Sequence, residues 1–257
     1  MMSKAILRAF PGLVVLGAVC LLAAPARASF DEVFDRTVPL QAGGSFELQN
    51  VNGSVEITGW DRNEVEIHAV KSAKRNRRDL DRVSIEVSER PNAVSVLTHY
   101  PHDEGVEVAV EYRIHVPRDA QVRRVATVNG GLHVSGIRNA GELRTVNGNV
   151  ELFDSAGRIS AHSTNGNLRL ELNRFDSESS LSAETVNGSV MIGMPSGAGG
   201  SIDAATLNGD FRSDLPVTLE GNFGPRELHG TLGQGGGPIR VRTVNGGIRV
   251  VAARPTV

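Results

Sequence analysis

The stretch TVNGNVEL, residues 145–152, decides the fold, because close variants of its first four residues return along the chain. From Asn129 to Asn245 the copies lie 16 to 22 residues apart, including a degenerate copy at His229. Repetition at such a period is typical of solenoid proteins, in which each repeat stacks on its neighbours. The asparagines that we predict to form a structural ladder are Asn52, Asn129, Asn147, Asn165, Asn187, Asn208 and Asn245.

The residues that follow each asparagine alternate between apolar and polar. In the repeat of Asn147, Val150 and Leu152 are apolar and Glu151 between them is charged. A period of two indicates a strand with one buried face, and the mature chain has no long segment with a helical period. We therefore predict an all-β fold, a repetitive parallel β-solenoid (β-helix-like) with a small β-hairpin and loop insertion.

An antiparallel β-meander is the alternative fold. Asn-Gly is also the strongest signal for a two-residue hairpin turn, so each copy of the motif could close a hairpin. The solenoid is favoured because equivalent residues recur at every position of the repeat. In a solenoid the stacked asparagines can exchange amide hydrogen bonds, and we expect the Asn-Gly corner to use left-handed backbone conformations.

The first 28 residues are typical of a secretory signal peptide. Lys4 and Arg8 precede an apolar run over residues 13–24, and small residues stand at Ala26 and Ala28. The lone cysteine, Cys20, lies within this segment, so the mature chain from residue 29 has no thiol. Removing the three basic residues of the leader leaves 24 basic against 29 acidic residues, a net charge near −5. This balance does not favour a nucleic-acid partner.

We predict that residues 29–257 form a single β-solenoid domain. Its parts are an entry region over 29–70, an insertion over 71–105 and a main repeat array over 106–251. Within the insertion, two alternating runs around Pro91 predict a hairpin, and residues 227–237 predict an irregular coil. The insertion opens with the densest basic run of the chain, whose candidate anion-binding residues are Lys74, Arg75, Arg77 and Arg78.

Three features together carry a family resemblance. Val51-Asn52-Gly53 is followed by Gly59-Trp60-Asp61, a strand runs from Tyr112 to Pro117, and the Thr-Val-Asn-Gly array follows. In these features the chain resembles a family of exported bacterial proteins known as putative adhesins. That family is a domain of largely unknown function, distantly similar to the head domains of auto-transporter adhesins. The resemblance implies a β-solenoid-like fold at the cell envelope and supplies no catalytic residues.

The sequence offers little that is typical of catalysis or of metal binding. A polar loop holds His99, His102, Asp103 and Glu104, but no second cluster with metal-ligand spacing accompanies it, so we predict no metal site and no cofactor. Recognised nucleophile and phosphate-loop motifs are absent. Only Trp60, Tyr100 and Tyr112 are large platforms on which a sugar could stack.

We therefore predict a non-enzymatic, exported cell-envelope protein that serves as an adhesin-like scaffold or binding surface. The expected partner is an envelope or surface protein or polysaccharide, or a second copy of the chain. We expect no transmembrane segment in the mature chain, and a periplasmic, cell-surface or secreted location. The alternatives are a polysaccharide-acting enzyme on a β-helix and an accessory sensor of envelope stress.

Overall fold

The computed structural model describes residues 29–101, 105–220, 226–233 and 235–253, and the predicted signal peptide, residues 1–28, lies outside this part of the chain. The first half of the described strands are β1 (Phe30–Pro39), β2 (Ser45–Gln49), β3 (Val55–Trp60), β4 (Glu64–Ala73), β5 (Ser84–Arg90), β6 (Ala93–His99), β7 (Val108–Pro117), β8 (Gln121–Ala126), β9 (Leu132–Ser135), β10 (Asn139–Arg144) and β11 (Val150–Ser155). The others are β12 (Arg158–Asn165), β13 (Leu168–Leu172), β14 (Ser180–Asn187), β15 (Val190–Met194), β16 (Gly200–Asn208), β17 (Phe211–Ser213), β18 (Val217–Leu219), β19 (Glu227–Leu232), β20 (Gly237–Asn245) and β21 (Ile248–Ala252). A short 3-10 helix spans Arg77–Arg82.

The strands form two facing sheets. Sheet A has the order β1-β4-β7-β3-β9-β11-β13-β15-β21-β17, and sheet B has the order β18-β19-β16-β20-β14-β12-β10-β8-β2-β6-β5. Each coil places one strand in each sheet, and neighbouring coils pair in parallel, as with Leu143 beside Ala161 and Ala161 beside Ala183. The predicted parallel β-solenoid is confirmed. The hairpin alternative is excluded, because the ladder asparagines lie in parallel pairings between coils.

The order of the coils in the stack differs from their order in the chain. The last coil, β20 and β21, lies between the coil of β14 and β15 and the coil of β16 and β17, so Asn245 stands between Asn187 and Asn208. At the opposite end, β2 and β3 lie between β6–β7 and β8–β9. The first and last copies of the motif are therefore internal coils.

The space between the sheets is filled by aliphatic side chains, because alternate residues of each strand point inward. Leu152, Leu170 and Ile192 are fully buried in sheet A, as are Leu143 and Ala161 in sheet B. Equivalent aliphatic side chains of successive coils lie side by side, so each coil buries its apolar residues against the coils above and below it. The core is thus continuous along the stack.

The threonine or serine that opens most copies of the motif points inward and bonds to the neighbouring coil. Thr145 Oγ1 donates to the carbonyl oxygen of Gly130 at 2.9 Å, and Ser163 Oγ donates to that of Gly148 at 2.9 Å. In the first copy the position is occupied by Asn50, whose longer amide reaches the carbonyl oxygen of Val110 at 2.9 Å. These bonds satisfy buried carbonyl groups at the corner, where strand pairing is interrupted.

The asparagines form one continuous column along an exposed edge. Asn52 Oδ1 is the first acceptor, and the Nδ2 of every other ladder asparagine donates to the Oδ1 of its neighbour in the column at 2.7 or 2.8 Å. None of the ladder asparagines has a positive φ; among the described residues, the positive-φ non-glycine residues are Asn92 and Asp154. The expectation of a left-handed corner is therefore wrong for the asparagines, and amide stacking is what the column provides.

Replacing one ladder asparagine should lower stability modestly. Asn147 donates to Asn129 and accepts from Asn165, but it is exposed, so water can replace its lost partners. We expect Asn147→Ala to lower the free energy of unfolding by about 1 kcal/mol. Urea denaturation measures this, with Asn139→Ala as an exposed control on the same coil. Equal midpoints for both variants would argue against a stabilising ladder.

Antiparallel strands close sheet B at both ends of the stack and sheet A at the amino-terminal end. Strand β19 pairs antiparallel with β16 and sets His229 opposite Asp203. The degenerate motif at His229 is therefore not a coil corner, and the irregular coil that we predicted over residues 227–237 is in part a regular capping strand. At the other end, the predicted hairpin of β5 and β6 is confirmed, with Arg90 paired to Ala93. The proposed division into 29–70, 71–105 and 106–251 stays a prediction.

Candidate functional site

The outer face of sheet B carries an open groove near the carboxyl-terminal end of the stack. Two hollows, of about 660 and 520 Å³, follow one another along β12, β14, β20 and β16. Residues of β19 and of the segment before it wall one side. We call this surface the sheet B groove; the outward side chains that the argument uses are Arg144, Arg158, Ser160, His162, Ser182, Glu184, Asp203, His229, Arg240 and Arg242.

Strand alternation places these side chains outward. Ala161 is buried between the sheets, so its neighbours Ser160 and His162 point to the groove. Parallel register then sets Ser182 beside Ser160 and Glu184 beside His162 on the next strand. The groove is therefore lined by rows of side chains from equivalent positions of neighbouring coils, as expected for a solenoid.

Asp203 is the centre of the charge network in the groove. Its Oδ2 lies 2.9 Å from Arg242 and 3.9 Å from Arg240. Its Oδ1 lies 3.4 Å from His229 Nδ1 on the capping strand, at ion-pair distance but without a hydrogen bond. Within the described part of the chain, Arg144 and Arg158 form no ion pair, so two guanidinium groups remain available to a ligand.

Ser160, His162 and Glu184 form a polar chain in the groove. Ser160 Oγ lies 2.7 Å from His162 Nε2, and His162 Nδ1 lies 3.5 Å from Glu184 Oε2. Hydrolases use a hydroxyl, an imidazole and a carboxylate in this order to activate a nucleophile. Acyl transfer also needs N–H donors that stabilise the oxyanion, whereas β12 is paired on both edges, with β10 and β14. The edges of β12 on either side of Ser160 are therefore engaged in strand pairing.

The basic run divides into a buried lysine and exposed arginines. Lys71, on β4, is buried; its Nζ donates to the carbonyl oxygens of Leu80 and Val83 at 3.1 and 3.2 Å and pairs with Glu32 at 2.6 Å. It therefore fastens the 3-10 helix to β1. The predicted anion-binding residues are all exposed, and one of them, Arg75, pairs with Glu107 at 3.0 Å: Lys74, Arg75, Arg77 and Arg78. Their role in anion binding stays a prediction.

Loss of the Lys71 ammonium should destabilise this end of the stack. In Lys71→Met both carbonyl oxygens lose the ammonium donor, and that of Leu80 keeps a bond from the backbone N–H of Val83. We expect the free energy of unfolding to fall by about 2–3 kcal/mol. Chemical denaturation checks this. Lys74→Met, an exposed lysine three residues away, serves as the control and should change stability little. Similar losses in both variants would contradict the fastening role.

The large aromatic side chains are engaged within the fold. Trp60 stacks on His115 with ring centroids 4.9 Å apart, and the guanidinium of Arg62 lies 4.7 Å from the Trp60 centroid. Tyr112 is buried and its hydroxyl lies 2.7 Å from Thr98 Oγ1. Burial raises the pKa of Tyr100 to about 12 and also raises the pKa of Tyr112. None of these three rings is an open platform for a sugar.

The polar loop considered for a metal is only partly described. His99 Nε2 lies 2.7 Å from Glu86 Oε2, whereas His102, Asp103 and Glu104 lie outside the described residues. Within the described ranges, no group of three or more His, Cys, Asp or Glu side chains is arranged to hold a metal ion. The same part of the chain contains no helix whose length and hydropathy would suit a membrane span.

Comparisons with known proteins identify the family. Two similar solved structures are a putative cell adhesion protein from Clostridium sporogenes ATCC 15579 (12% identity, TM-score 0.44, covering 86% of this chain and 100% of that chain) and a putative adhesin from Bacteroides fragilis NCTC 9343 (11%, 0.37, 85% and 97%). No curated protein matches the chain. The family model described as Toastrack DUF4097 matches residues 119–251, which include six of the seven ladder asparagines. Because this match covers more than half of the sequence, the chain belongs to the Toastrack DUF4097 family.

Proposed function

We propose that this chain is an exported, non-catalytic cell-envelope protein that holds an extended partner in the sheet B groove. One observation carries the proposal: the two hollows follow one another along four neighbouring strands of the stack, β12, β14, β20 and β16. A groove of this form fits an extended chain better than a compact small molecule, which favours an enclosed cavity. The predicted signal peptide over residues 1–28 supports export.

The chemistry of the groove favours an acidic stretch of an envelope protein or polysaccharide. Arg144 and Arg158 have no ionic partner among the described residues, and Ser160 and Ser182 present hydroxyl groups in the same hollow as Arg158. Arginine recognises carboxylate and phosphate groups through paired hydrogen bonds. A partner that carries such groups at intervals along an extended backbone would engage both arginines.

Reversal of these two charges tests the groove. The mature protein, starting at Ser29, is immobilised and exposed to solubilised envelope fractions and, separately, to polygalacturonate as an acidic polymer. We expect Arg144→Glu with Arg158→Glu to lose most of the capture. Arg113→Glu with Arg212→Glu makes the same change of charge on the outer face of sheet A and should retain it. Equal capture by the two double variants would overturn the assignment of the groove.

A polysaccharide-acting or ester-cleaving enzyme is the second candidate, and the polar chain of Ser160, His162 and Glu184 is the observation that favours it. Incubation with acidic glycans, followed by an assay for new reducing ends, tests the first activity. A fluorophosphonate probe tests the second, with Ser182→Ala as the control for Ser160→Ala. Turnover that is lost only in Ser160→Ala would replace the non-catalytic proposal.

A further inference from the structure

The two ends of the stack differ in the sheet edges that they expose. At the carboxyl-terminal end the edge strands β17 and β18 have three residues each. At the amino-terminal end, sheet A ends in β1, a ten-residue strand that pairs with β4 on one side only. Phe30 and Val33 of β1 are 38% and 57% exposed. A long edge strand with exposed apolar side chains is a template for pairing with another strand.

The side chains of β1 divide into two faces. Val38 is buried and Phe34 packs against the core, so the residues of the same parity point toward the interior. The opposite face points to solvent and includes Val33, which pairs with Val70 of β4. The inward face carries, in order, Phe30, Glu32, Phe34, Arg36 and Val38.

We propose that β1 pairs antiparallel with β1 of a second copy of this chain, with Phe34 on the two-fold axis. Antiparallel pairing about this residue places Glu32 opposite Arg36 of the second copy, and Arg36 opposite Glu32 of the second copy. Phe30 then lies opposite Val38 of the second copy. The strand is therefore self-complementary in charge and in apolar contact, as a two-fold interface requires.

Neighbouring registers place like charges together. Centring the pair on Val33 sets Asp31 opposite Asp35 of the second copy. Centring it on Glu32 or on Asp35 sets that carboxylate opposite its own equivalent. Like charges directly opposite each other destabilise a pair of strands, so charge selects the register centred on Phe34.

Glu32 and Arg36 can each form a second ion pair, with a residue of the other copy. Glu32 pairs with Lys71 and Arg36 pairs with Glu89 within the chain, each at 2.6 Å. Their side chains nevertheless remain 46% and 43% exposed. A single pair of strands is small for a protein interface, so we expect a reversible dimer whose fraction rises with concentration.

The dimer extends the proposed function without depending on it. The pairing would continue sheet A across both copies and set both sheet B grooves on the same side of one longer stack. A partner with repeated acidic groups could then occupy both grooves and gain avidity. No residue of β1 lines the sheet B groove, so dimerisation and groove binding can each fail without the other.

Sedimentation equilibrium of the mature chain from Ser29 tests whether the chain dimerises through the edge strand β1. We expect a monomer–dimer equilibrium for the unaltered protein and a shift of at least tenfold toward monomer in Val33→Lys. Leu219→Lys is the matched control, because Leu219 is an exposed apolar residue on the edge strand β18 at the other end. Monomer alone at the highest concentration, or loss of the dimer in Leu219→Lys rather than in Val33→Lys, would overturn the proposal.

Charge exchange between two variants tests the register. Glu32→Arg alone sets two arginines opposite each other, and Arg36→Glu alone sets two carboxylates opposite each other, so each variant should be monomeric. In a mixture, every arginine of one chain meets a carboxylate of the other, and a heterodimer should form. This restoration cannot come from the pairs within one chain. A mixture that stays monomeric would refute the register.

Discussion

Deletion of residues 237–257 should unfold much of the carboxyl-terminal half, although it removes only the end of the chain. Strands β20 and β21 lie inside the stack, so their loss separates the coil of β14 and β15 from the coil of β16 and β17. It also removes Asn245, to which Asn187 and Asn208 are bonded. A deletion at a true end would expose only one neighbouring coil.

The expected loss is large. The deleted segment buries four aliphatic side chains, and burial of one contributes about 1.5–3 kcal/mol. Their sum, roughly 6–12 kcal/mol, is comparable to the whole stability of a typical domain. We expect a large fall in the urea midpoint or no cooperative transition. The four side chains are Ile239, Val241, Ile248 and Val250.

The control for this deletion is a chain that ends after residue 253, which keeps both strands intact. It should unfold at the midpoint of the full mature protein. If the longer deletion had the same midpoint as this control, the last coil would not be internal. If the shorter chain differed from the control only by a small first unfolding transition, the deleted coil would lie at the end of the stack.

Gly166→Ala should strongly destabilise the stack, as should substitution of the equivalent motif glycines. A methyl group at Gly166 would overlap the carbonyl oxygen of Gly148 on the neighbouring coil. Gly166 has no positive φ, so the constraint is the close contact between coils rather than the backbone conformation. Because backbone atoms on both sides must move, we expect a loss of about 3 kcal/mol or more.

Gly131→Ala is the matched control for this substitution. Gly131 follows Gly130, the motif glycine in the repeat of Asn129. A methyl group at Gly131 would lie 3.5 Å from the carbonyl oxygen of Asn149, which is an ordinary van der Waals distance. We expect its free energy of unfolding to change little. Equal losses in the two variants, measured by urea denaturation, would show that contact between coils does not select glycine at this position.

The repeat unit itself could be predicted from local pattern. Alternation after each asparagine gave the strands, and equivalence between repeats gave parallel stacking and the asparagine column. The reason for the motif glycine was not predicted, because Asn-Gly corners suggest a left-handed backbone, whereas most of these glycines are selected by the carbonyl group of the adjacent coil. That contact exists only after two coils are stacked.

The groove could be predicted only in part. Alternation sets Ser160 and His162 on the outer face of a strand, and the repeat period sets Ser182 and Glu184 beside them. The wall formed by β19 could not be predicted, because the degenerate motif at His229 is similar to a coil corner and is in fact part of an antiparallel cap. Nothing in the local pattern distinguishes these two uses of one short segment.

The sequence by itself determined the coil: its length, its buried and exposed faces, and the column in which its asparagines lie. It did so because each of these properties depends on residues within one repeat and is then copied. Only the tertiary structure decided the order of coils and the identity of the edges. Every repeat presents nearly the same threonine, asparagine and glycine to its neighbours, so local chemistry accepts any order. The connections and the capping strands select one order, and these depend on residues far apart in the chain.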